Sequence, residues 1–379
     1  MTPIFVLCLI LTVGYGLLMA LYARGWQRQP GFVVPAPYTP RTFITIIIPA
    51  RNEEANIGNC IDAILAQKYP ADLLEIIVVD DHSDDNTAAI VAAYNQLHIR
   101  CLSLAHELAS KNINSYKKAA LAAGIAASKG ELIITTDADC TAPNTWLLHI
   151  AAKYELENPV MIVAPVAFSA NNSLVQIFQA IDFTGMQGIT AAAHAMKMGN
   201  MSNGANLAFT KAAYLQVNGY DGIDKLASGD DYLLMMKMNK AFPGRIAYLR
   251  ASPAIVRTLP QPTWRSFLQQ RIRWASKSGK YNDGKLTAIL ILVYLFNCLL
   301  LYAAVMALFD IHWVLAAALM CSVKVAAELI FLVPAFRFFR KEWLLRYFVV
   351  LQPLHIIYIV IAGLLGFAGG YKWKGRSVK

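Results

Sequence analysis

Charge is scarce in this chain. Charged residues make up 15% of the 379 residues and hydrophobic residues make up 57%, whereas an ordinary soluble domain has about 25% charged residues. Such a composition excludes a disordered, collagen-like or purely soluble protein, because the excess of apolar side chains must be covered by lipid.

Paired cysteines are also lacking. The chain has 6 cysteines, none of them in a CxxC pair, and three of them lie within long apolar segments. The sequence therefore contains no readable zinc site or disulfide framework. A reducing, cytosolic compartment is the default expectation for the polar part of the chain.

Positive charge, by contrast, is in excess. The formal net charge is +10, and the basic residues cluster beside apolar segments instead of alternating with aromatic residues on a polar stretch. This distribution favours an anionic membrane surface and argues against a nucleic-acid partner.

Four apolar segments are long enough to cross a bilayer, which needs about 20 residues. The first lacks the basic start of a cleavable signal and is followed by Arg24 and Arg28, which predicts a retained anchor with its N-terminus outside. We therefore expect a multi-pass protein of the cell membrane. The segments are Pro3–Ala23, Leu286–Phe309, Ile311–Phe336 and Tyr347–Tyr371.

The last of these segments poses a conflict of topology. Basic residues lie on both sides of it, in Arg337–Arg346 and in the tail after Tyr371. Both stretches should therefore be cytoplasmic. Either this segment is re-entrant, helped by Pro353, Gly363 and Gly366, or the tail departs from the rule, and the sequence leaves both open.

Two charges occur inside the third apolar segment. Lys324 and Glu328 are four residues apart, so they share one face of a helix and can pair. A structural ion pair is the simpler interpretation. A contact to a lipid head group or phosphate is the alternative, because charges inside a membrane are costly and often functional.

Between the first two apolar segments, strand and helix patterns alternate. Short β-branched runs bounded by turn residues are separated by helical stretches, which favours an α/β fold with a mostly parallel sheet covered on both faces. The expected strands are Phe43–Ile48, Leu74–Asp80 and Leu132–Thr136, and the expected helices are Glu53–Gln67, Asn86–Gln96 and Ser115–Ala127.

Carboxylates lie at the ends of these runs. Asp81 follows one strand, Asp137 and Asp139 follow another, and the pair Asp230 and Asp231 opens a helical stretch. Ligands of parallel α/β sheets bind at the carboxyl ends of the strands, and paired carboxylates suit Mg²⁺ or Mn²⁺. Ordinary turn residues are the alternative for any single cluster.

Together these motifs resemble the membrane-bound family 2 glycosyltransferases with a GT-A fold, which include cellulose and hyaluronan synthases, ceramide glucosyltransferase and bacterial lipid or carotenoid glycosyltransferases. One departure is Ala122, which stands where the family's KxxxLNxG helix has asparagine. The matching stretches are Ile48-Pro49-Ala50-Arg51-Asn52-Glu53 (the PxxNE turn), Val79–Asp84 (VDDxSxD), Lys117–Gly124, Asp137-Ala138-Asp139 (DxD), Gly229-Asp230-Asp231 and Gln270–Trp274 (QxxRW).

The resemblance implies roles for particular residues. Asp231, with Asp230, would be the catalytic base, and Asp139, helped by Asp137, would hold Mg²⁺ or Mn²⁺. The nucleotide-sugar would be bound by Pro49, Ala50, Arg51, Glu53, Asp81, Lys117, Asp137, Gly204, Gln270, Arg273 and Trp274. A solvated helix lysine is the alternative for Lys117, an ordinary turn for Gly204, and membrane-interface anchors for Arg273 and Trp274.

The expected activity is inverting, metal-dependent transfer from a nucleotide-sugar, preferably a UDP-sugar, to a membrane lipid or lipid-linked acceptor. A polysaccharide synthase subunit is the alternative, and an inactive membrane scaffold is a remote one. The oligomeric state is left open.

The same patterns predict how the chain is divided. The expected divisions are a transmembrane anchor at 1–24, a linker at 25–40, a cytoplasmic GT-A domain at 41–262, an amphipathic interface helix at 263–285, transmembrane segments at 286–371 and a basic tail at 372–379.

Overall fold

A computed structural model of the chain describes residues 3–104, 115–169, 173–198, 201–224, 226, 229–276, 283–368, 371–373 and 376–378. The chain divides into two compact units. Unit 1 comprises Met1–Gln29, Ala170–Gly199 and Pro260–Lys379, and unit 2 comprises Pro30–Ser169 and Asn200–Leu259.

Strands occur mainly in unit 2. They are β1 (Ile44–Ala50), β2 (Leu74–Asp80), β3 (Ile99–Ser103), β4 (Leu132–Thr135), β5 (Met161–Val163), β6 (Val166–Phe168), β7 (Leu207–Thr210), β8 (Ile246–Tyr248) and β9 (Val256–Thr258), with β10 (Tyr371–Trp373) and β11 (Arg376–Val378) in unit 1.

Helices occur in both units. They are α1 (Pro3–Arg28), α2 (Ile57–Leu65), α3 (Thr87–Ala92), α4 (Tyr116–Ala127), α5 (Trp146–Glu157), α6 (Leu174–Met196), α7 (Lys211–Gln216), α8 (Asp230–Ala241), α9 (Trp264–Ala275), α10 (Gly284–Met306), α11 (Ile311–Phe338), α12 (Leu345–Phe348) and α13 (Gln352–Ala368).

Unit 2 is built on a seven-stranded sheet in the order β3-β2-β1-β4-β7-β5-β8. Only β7 runs antiparallel to its neighbours in this sheet, so the prediction of a mostly parallel sheet is confirmed. Ile44, Ile46, Ile47 and Ile48 of the central β1 are completely buried. The apolar run of β1 is continuous because helices cover both faces of a parallel sheet.

The predicted boundaries differ from the observed ones at the carboxyl end of β1. The strand extends to Ala50, and α2 begins only at Ile57, although a helix from Glu53 was expected. Two backbone N–H groups between β1 and α2 form hydrogen bonds outside the helix. The N–H of Glu53 donates to Thr87 Oγ1 at 2.8 Å, and the N–H of Glu54 donates to the side chain of Asp85. These bonds tie the turn after β1 to the turn after β2.

Within its described residues, unit 1 contains three helices that are long and apolar enough to cross a membrane, namely α1, α10 and α11. The fourth expected segment is not one straight helix. It forms a pair of helices, Glu342–Phe348 and Gln352–Gly366, bent by 83°, which is either a broken span or a re-entrant loop. The bend lies just before Pro353, since a proline fits the first turn of a helix but not its interior.

The two charges of α11 form the expected ion pair. Lys324 Nζ pairs with Glu328 Oε1, and the same oxygen accepts the hydroxyl of Tyr15 from α1. Glu328 Oε2 accepts the side-chain amide of Gln352 at 2.7 Å. The pair thereby connects three helices of unit 1, which supports the structural interpretation.

Candidate active site

The carboxyl end of β4 carries the DxD residues. Side-chain ligand atoms of Asp137, Asp139 and Cys140 lie within 4.8 Å of one another, and Thr258 Oγ1 donates to Asp139 Oδ2 at 3.0 Å. Burial and the charge of Asp137 raise the pKa of Asp139 to about 6. The oxygens of these two close carboxylates are hard ligands, and such a set fits a divalent cation.

Lys117 lies between two of the acidic motifs. Its ammonium nitrogen is 2.7 Å from Asp137 Oδ1 and 3.5 Å from Asp230 Oδ2. Burial favours the neutral amine, but Asp137 and Asp230 raise the pKa of Lys117 above its ordinary value. Lys117 is therefore a fixed cation within the site and not a solvated helix lysine.

The loop before β7 brings Gly204 against the acidic pair of α8. The backbone N–H of Gly204 donates to Asp231 Oδ2 at 3.1 Å, and Thr135 Oγ1 of β4 donates to the Gly204 carbonyl at 2.8 Å. A Cβ atom at Gly204 would lie 3.2 Å from Asp230 Oδ2 and 3.6 Å from Lys117 Nζ. Glycine is favoured here because a side chain would crowd the carboxylates.

The turns after β1 and β2 meet at the same edge of the sheet. Pro49 and Ala50 end β1 beside Val79 and Asp80 of β2, and the N–H of Asp81 donates to the Ala50 carbonyl at 2.8 Å. Arg51 Nη1 donates to the Asp81 carbonyl at 3.2 Å. These predicted nucleotide ligands therefore form one hydrogen-bonded group.

Two carboxylates of this group are buried or close to the DxD residues. Burial raises the pKa of Asp81 above its ordinary value, although His82, at 3.0 Å, acts in the opposite direction. The charge of Glu53 raises the pKa of Asp139. Glu53 is therefore close enough to Asp139 to link the turn after β1 electrostatically to the DxD residues.

Two family profiles match this chain. Residues 45–204 match the family described as "Glycosyl transferase family 2", and residues 132–368 match "Glycosyl transferase family group 2". The second match covers more than half of the chain and includes the DxD residues, the acidic pair and the QxxRW helix. The chain belongs to glycosyl transferase family group 2.

Curated proteins similar to this glycosyltransferase include a probable glycosyltransferase and a glycolipid synthase. A probable glycosyltransferase of Bacillus subtilis, YdaM, is 28% identical over 61% of the chain and 54% of its own length. A beta-monoglucosyldiacylglycerol synthase of Trichormus variabilis is 28% identical over 41% of the chain and 31% of its own length. The chain thus spans about half of the first relative and a third of the second.

A solved structure shows the same fold. The mannosyltransferase of Pyrobaculum calidifontis, determined in complex with GDP-Man and Mn²⁺, superposes with a TM-score of 0.58 at 19% identity. The match covers 95% of this chain and 98% of the other. The fold of this glycosyltransferase is therefore GT-A, as predicted.

The QxxRW residues lie on α9 in unit 1. Gln270 Oε1 accepts a hydrogen bond from Arg271 Nη1 at 3.3 Å. The guanidinium of Arg271 lies 4.2 Å above the ring of Trp274, and the ring of Phe183 is 6.3 Å from that of Trp274. Within unit 1, Trp274 is thus packed by neighbours from α6 and α9, and Arg273 is partly buried.

Sequence reasoning missed the residue that holds α9 in place. Arg271, between the motif positions, is buried and forms an ion pair of 2.7 Å with Asp182 of α6. Asp182 also lies 3.5 Å from His355 of α13. Burial opposes ionisation of Asp182, but Arg271 and His355 lower its pKa. A lone carboxylate in an apolar helix was the available signal.

Thr258 is a second residue that the motifs did not indicate. It ends β9, which pairs with β6 in a separate two-stranded sheet, and it reaches Asp139 from there. The two residues are far apart in the chain, so no local pattern predicts their contact.

Proposed function

We propose that this glycosyltransferase transfers a sugar from a nucleotide-sugar to a membrane lipid or lipid-linked acceptor at the cytoplasmic face, with inversion of the anomeric centre. The observation that carries the proposal is the convergence of Lys117, Asp137, Asp230 and Gly204 at one edge of the sheet. Four segments distant in sequence supply these residues. Carboxylates held around a fixed lysine favour a diphosphate bound through a divalent cation.

The donor is bound, in this proposal, by the residues at the carboxyl ends of β1, β2 and β4. Pro49, Ala50, Arg51, Glu53 and Asp81 would contact the base and ribose. Lys117 would contact the diphosphate, since it is a cation held 2.7 Å from Asp137 Oδ1. A UDP-sugar is the donor that the resemblance favours.

Asp139 and Asp137 would hold Mg²⁺ or Mn²⁺, because their oxygens are the hard ligands that these ions prefer. When bound, such an ion neutralises negative charge on the leaving nucleoside diphosphate. By resemblance, Gln270, Arg273 and Trp274 of α9 would also take part in binding, Arg273 at the diphosphate and Trp274 at the acceptor. Their support is the match to QxxRW.

Asp231 would act as the base. Its carboxylate is oriented by the backbone N–H groups of Gly204 and Tyr232, and it lies at the N-terminus of α8, which stabilises negative charge. The acceptor attacks the anomeric carbon opposite the leaving diphosphate, so a single displacement inverts that centre. A lipid acceptor is supported by the three apolar helices of unit 1 and by the acceptor named for the Trichormus relative.

The test is release of nucleotide by the full chain in detergent. UDP-, GDP- and other nucleotide-sugars are offered with Mn²⁺ or Mg²⁺ and with a membrane lipid extract of the source organism. The proposal expects release of one nucleotide that requires both metal and lipid. Asp139→Asn should lower this release on the order of 10²–10³-fold, and Asp72→Asn should leave it unchanged, because Asp72 is exposed at the amino-terminal end of β2. Metal-independent release, or no release with folded protein, would contradict the proposal.

A further inference from the structure

We infer that Thr258 is a positioning residue of the metal site, whose hydroxyl group holds the Asp139 carboxylate in the orientation that binds the divalent cation. This role rests on the proposed function, which assigns the cation to Asp139 and Asp137. None of the matched motifs contains Thr258, so the role adds a residue to the site.

The contact between the two side chains is direct. Thr258 Oγ1 donates to Asp139 Oδ2 at 3.0 Å, and a hydrogen bond to an ionised acceptor is roughly twice as strong as one between neutral groups. The other oxygen, Oδ1, faces Cys140 Sγ at 3.7 Å, and a thiol is a weak donor. The hydroxyl of Thr258 is therefore the stronger of these two restraints on the carboxylate.

The backbone holds Thr258 in place before its side chain contributes. The carbonyl of Thr258 accepts from the N–H of Ser169 at 2.8 Å. The preceding residue, Arg257, exchanges two backbone hydrogen bonds of 2.8 Å with Thr141, which follows Asp139 by two residues. Because β9 is thus joined to the segment that carries the DxD residues, the hydroxyl of Thr258 is fixed relative to Asp139.

The burial pattern of β9 makes a polar side chain at this position informative. Val256 and Thr258 lie on the same face of the strand, and Val256 is completely buried, whereas Arg257 is exposed. An apolar residue is expected on such a face, because a hydroxyl group there costs free energy unless it has a hydrogen-bond partner. Asp139 supplies that partner.

A fixed orientation of Asp139 has a consequence for metal affinity. A carboxylate that is already held loses less rotational freedom when an ion binds, so the ion binds more tightly. Hydrogen-bond partners of metal ligands typically contribute about 10–100-fold to metal affinity. Removal of the hydroxyl group of Thr258 should therefore weaken binding of the ion without removing a ligand.

The experiment measures binding of Mn²⁺ itself and does not depend on turnover. The full chain in detergent is titrated with Mn²⁺, and free ion is measured by electron paramagnetic resonance for the unmodified chain, Thr258→Val, Thr258→Ser and Asp137→Asn/Asp139→Asn. Thr42→Val is the matched control, because the hydroxyl of Thr42 also donates to a carboxylate, that of Glu155 at 2.8 Å, but does so at the amino end of β1. Melting temperatures without metal are recorded for all five proteins.

We expect Thr258→Val to weaken Mn²⁺ binding by about 10–100-fold, and Thr258→Ser, which keeps a hydroxyl group, to bind like the unmodified chain. Thr42→Val should bind Mn²⁺ normally, and its melting temperature should fall at least as much as that of Thr258→Val. If Thr258→Val binds normally while Asp137→Asn/Asp139→Asn does not, or if Thr258→Ser is as weak as Thr258→Val, the positioning role is wrong and the proposed function stands. No Mn²⁺ binding by the folded, unmodified chain would contradict both.

Discussion

Buried charges occur in both units of this glycosyltransferase, but their balance differs. In the described part of unit 1, two carboxylates with little exposure have basic partners: Glu328 pairs with Lys324, and Asp182 with Arg271. In the described part of unit 2, Lys117 contacts both Asp137 and Asp230, and Asp139 lies close to Asp137. The two ion pairs of unit 1 connect helices. The aspartates of unit 2 follow β4 or begin α8.

The difference has a physical meaning. In a buried ion pair, the attraction between the two charges offsets the free-energy cost of removing them from water. Where burial and a neighbouring carboxylate raise the pKa of a carboxyl group, as for Asp139, its ionised form weakens the fold unless a cation lies beside it. Under the proposed function, the two pairs of unit 1 are structural, and the carboxylates of unit 2 hold the metal ion and the donor.

The strongest test exchanges one carboxylate in each unit for its amide. Asp139→Asn should reduce transfer on the order of 10²–10³-fold, because it removes a ligand of an ion worth several kcal/mol. It should keep or raise the melting temperature without metal, since it relieves repulsion. Asp182→Asn should lower the melting temperature, because Arg271 is left buried without its counter-ion. If only Asp139→Asn lowered the melting temperature, Asp139 would be the structural carboxylate and Asp182 would not.

The next effect concerns the pair in α11. Lys324→Met alone should destabilise unit 1 by about 3–5 kcal/mol, because Glu328 keeps a buried charge. Lys324→Met combined with Glu328→Gln should be close to neutral, since the amide can still bond to Tyr15 and Gln352. Unfolding in detergent, followed by tryptophan fluorescence, measures both. If the double variant is no more stable than the single one, the pair has a role other than architecture.

A smaller effect is expected at Gly204. Gly204→Ala places a Cβ 3.2 Å from Asp230 Oδ2, so the carboxylate must move by a few tenths of an ångström, at a cost of about 1 kcal/mol. We expect reduced turnover with little loss of stability. Gly31→Ala is the control, because a Cβ there has no neighbour within 4 Å. Equal turnover for both variants would show that the loop does not position the acidic pair.

The smallest effect is expected at Glu155, a carboxylate of unit 2 that is stabilised by hydrogen bonds from the backbone. Glu155 Oε1 accepts from the N–H groups of Arg41 and Thr42 at 2.8 and 3.0 Å. Although burial opposes it, these bonds lower the pKa of Glu155 below 4.5. Since the folded pKa is depressed, the stabilisation is present above pH 4.5 and is lost as pH falls through the folded pKa.

Glu155→Gln should therefore cost about 1 kcal/mol at pH 7, at the low end because the side chain is partly exposed. The difference from the unmodified chain should shrink below pH 4, as read from melting temperatures across a pH series. A difference that is constant with pH would show that the carboxylate charge contributes nothing.

How much the sequence predicts depends on the range of the interaction. Lys324 and Glu328 pair within one helix, so their spacing predicts the contact. The apolar runs predict the strands because burial on both faces leaves a continuous signature, as in β1. Arg271 with Asp182 and Thr258 with Asp139 are contacts between distant segments, and no local pattern contains them.

Turns and breaks are also poorly predicted. The start of α2 was misplaced because bonds to the turn after β2 hold Glu53 and Glu54 out of the helix. The fourth apolar segment was expected to be continuous or re-entrant, and its 83° bend lies before Pro353. A hydropathy profile gives the length of an apolar segment but not the direction of its helix axis. A bend inside such a segment is therefore hard to predict from the sequence.

Binding of Mn²⁺ tests most directly whether the acidic cluster of unit 2 is the active site. The full chain in detergent is titrated with Mn²⁺, with and without UDP, and free ion is measured by electron paramagnetic resonance. The account predicts one site that UDP tightens, at least tenfold weaker in Asp137→Asn/Asp139→Asn and unchanged in Asp72→Asn and Lys324→Met/Glu328→Gln. Equal binding by all four proteins would contradict it.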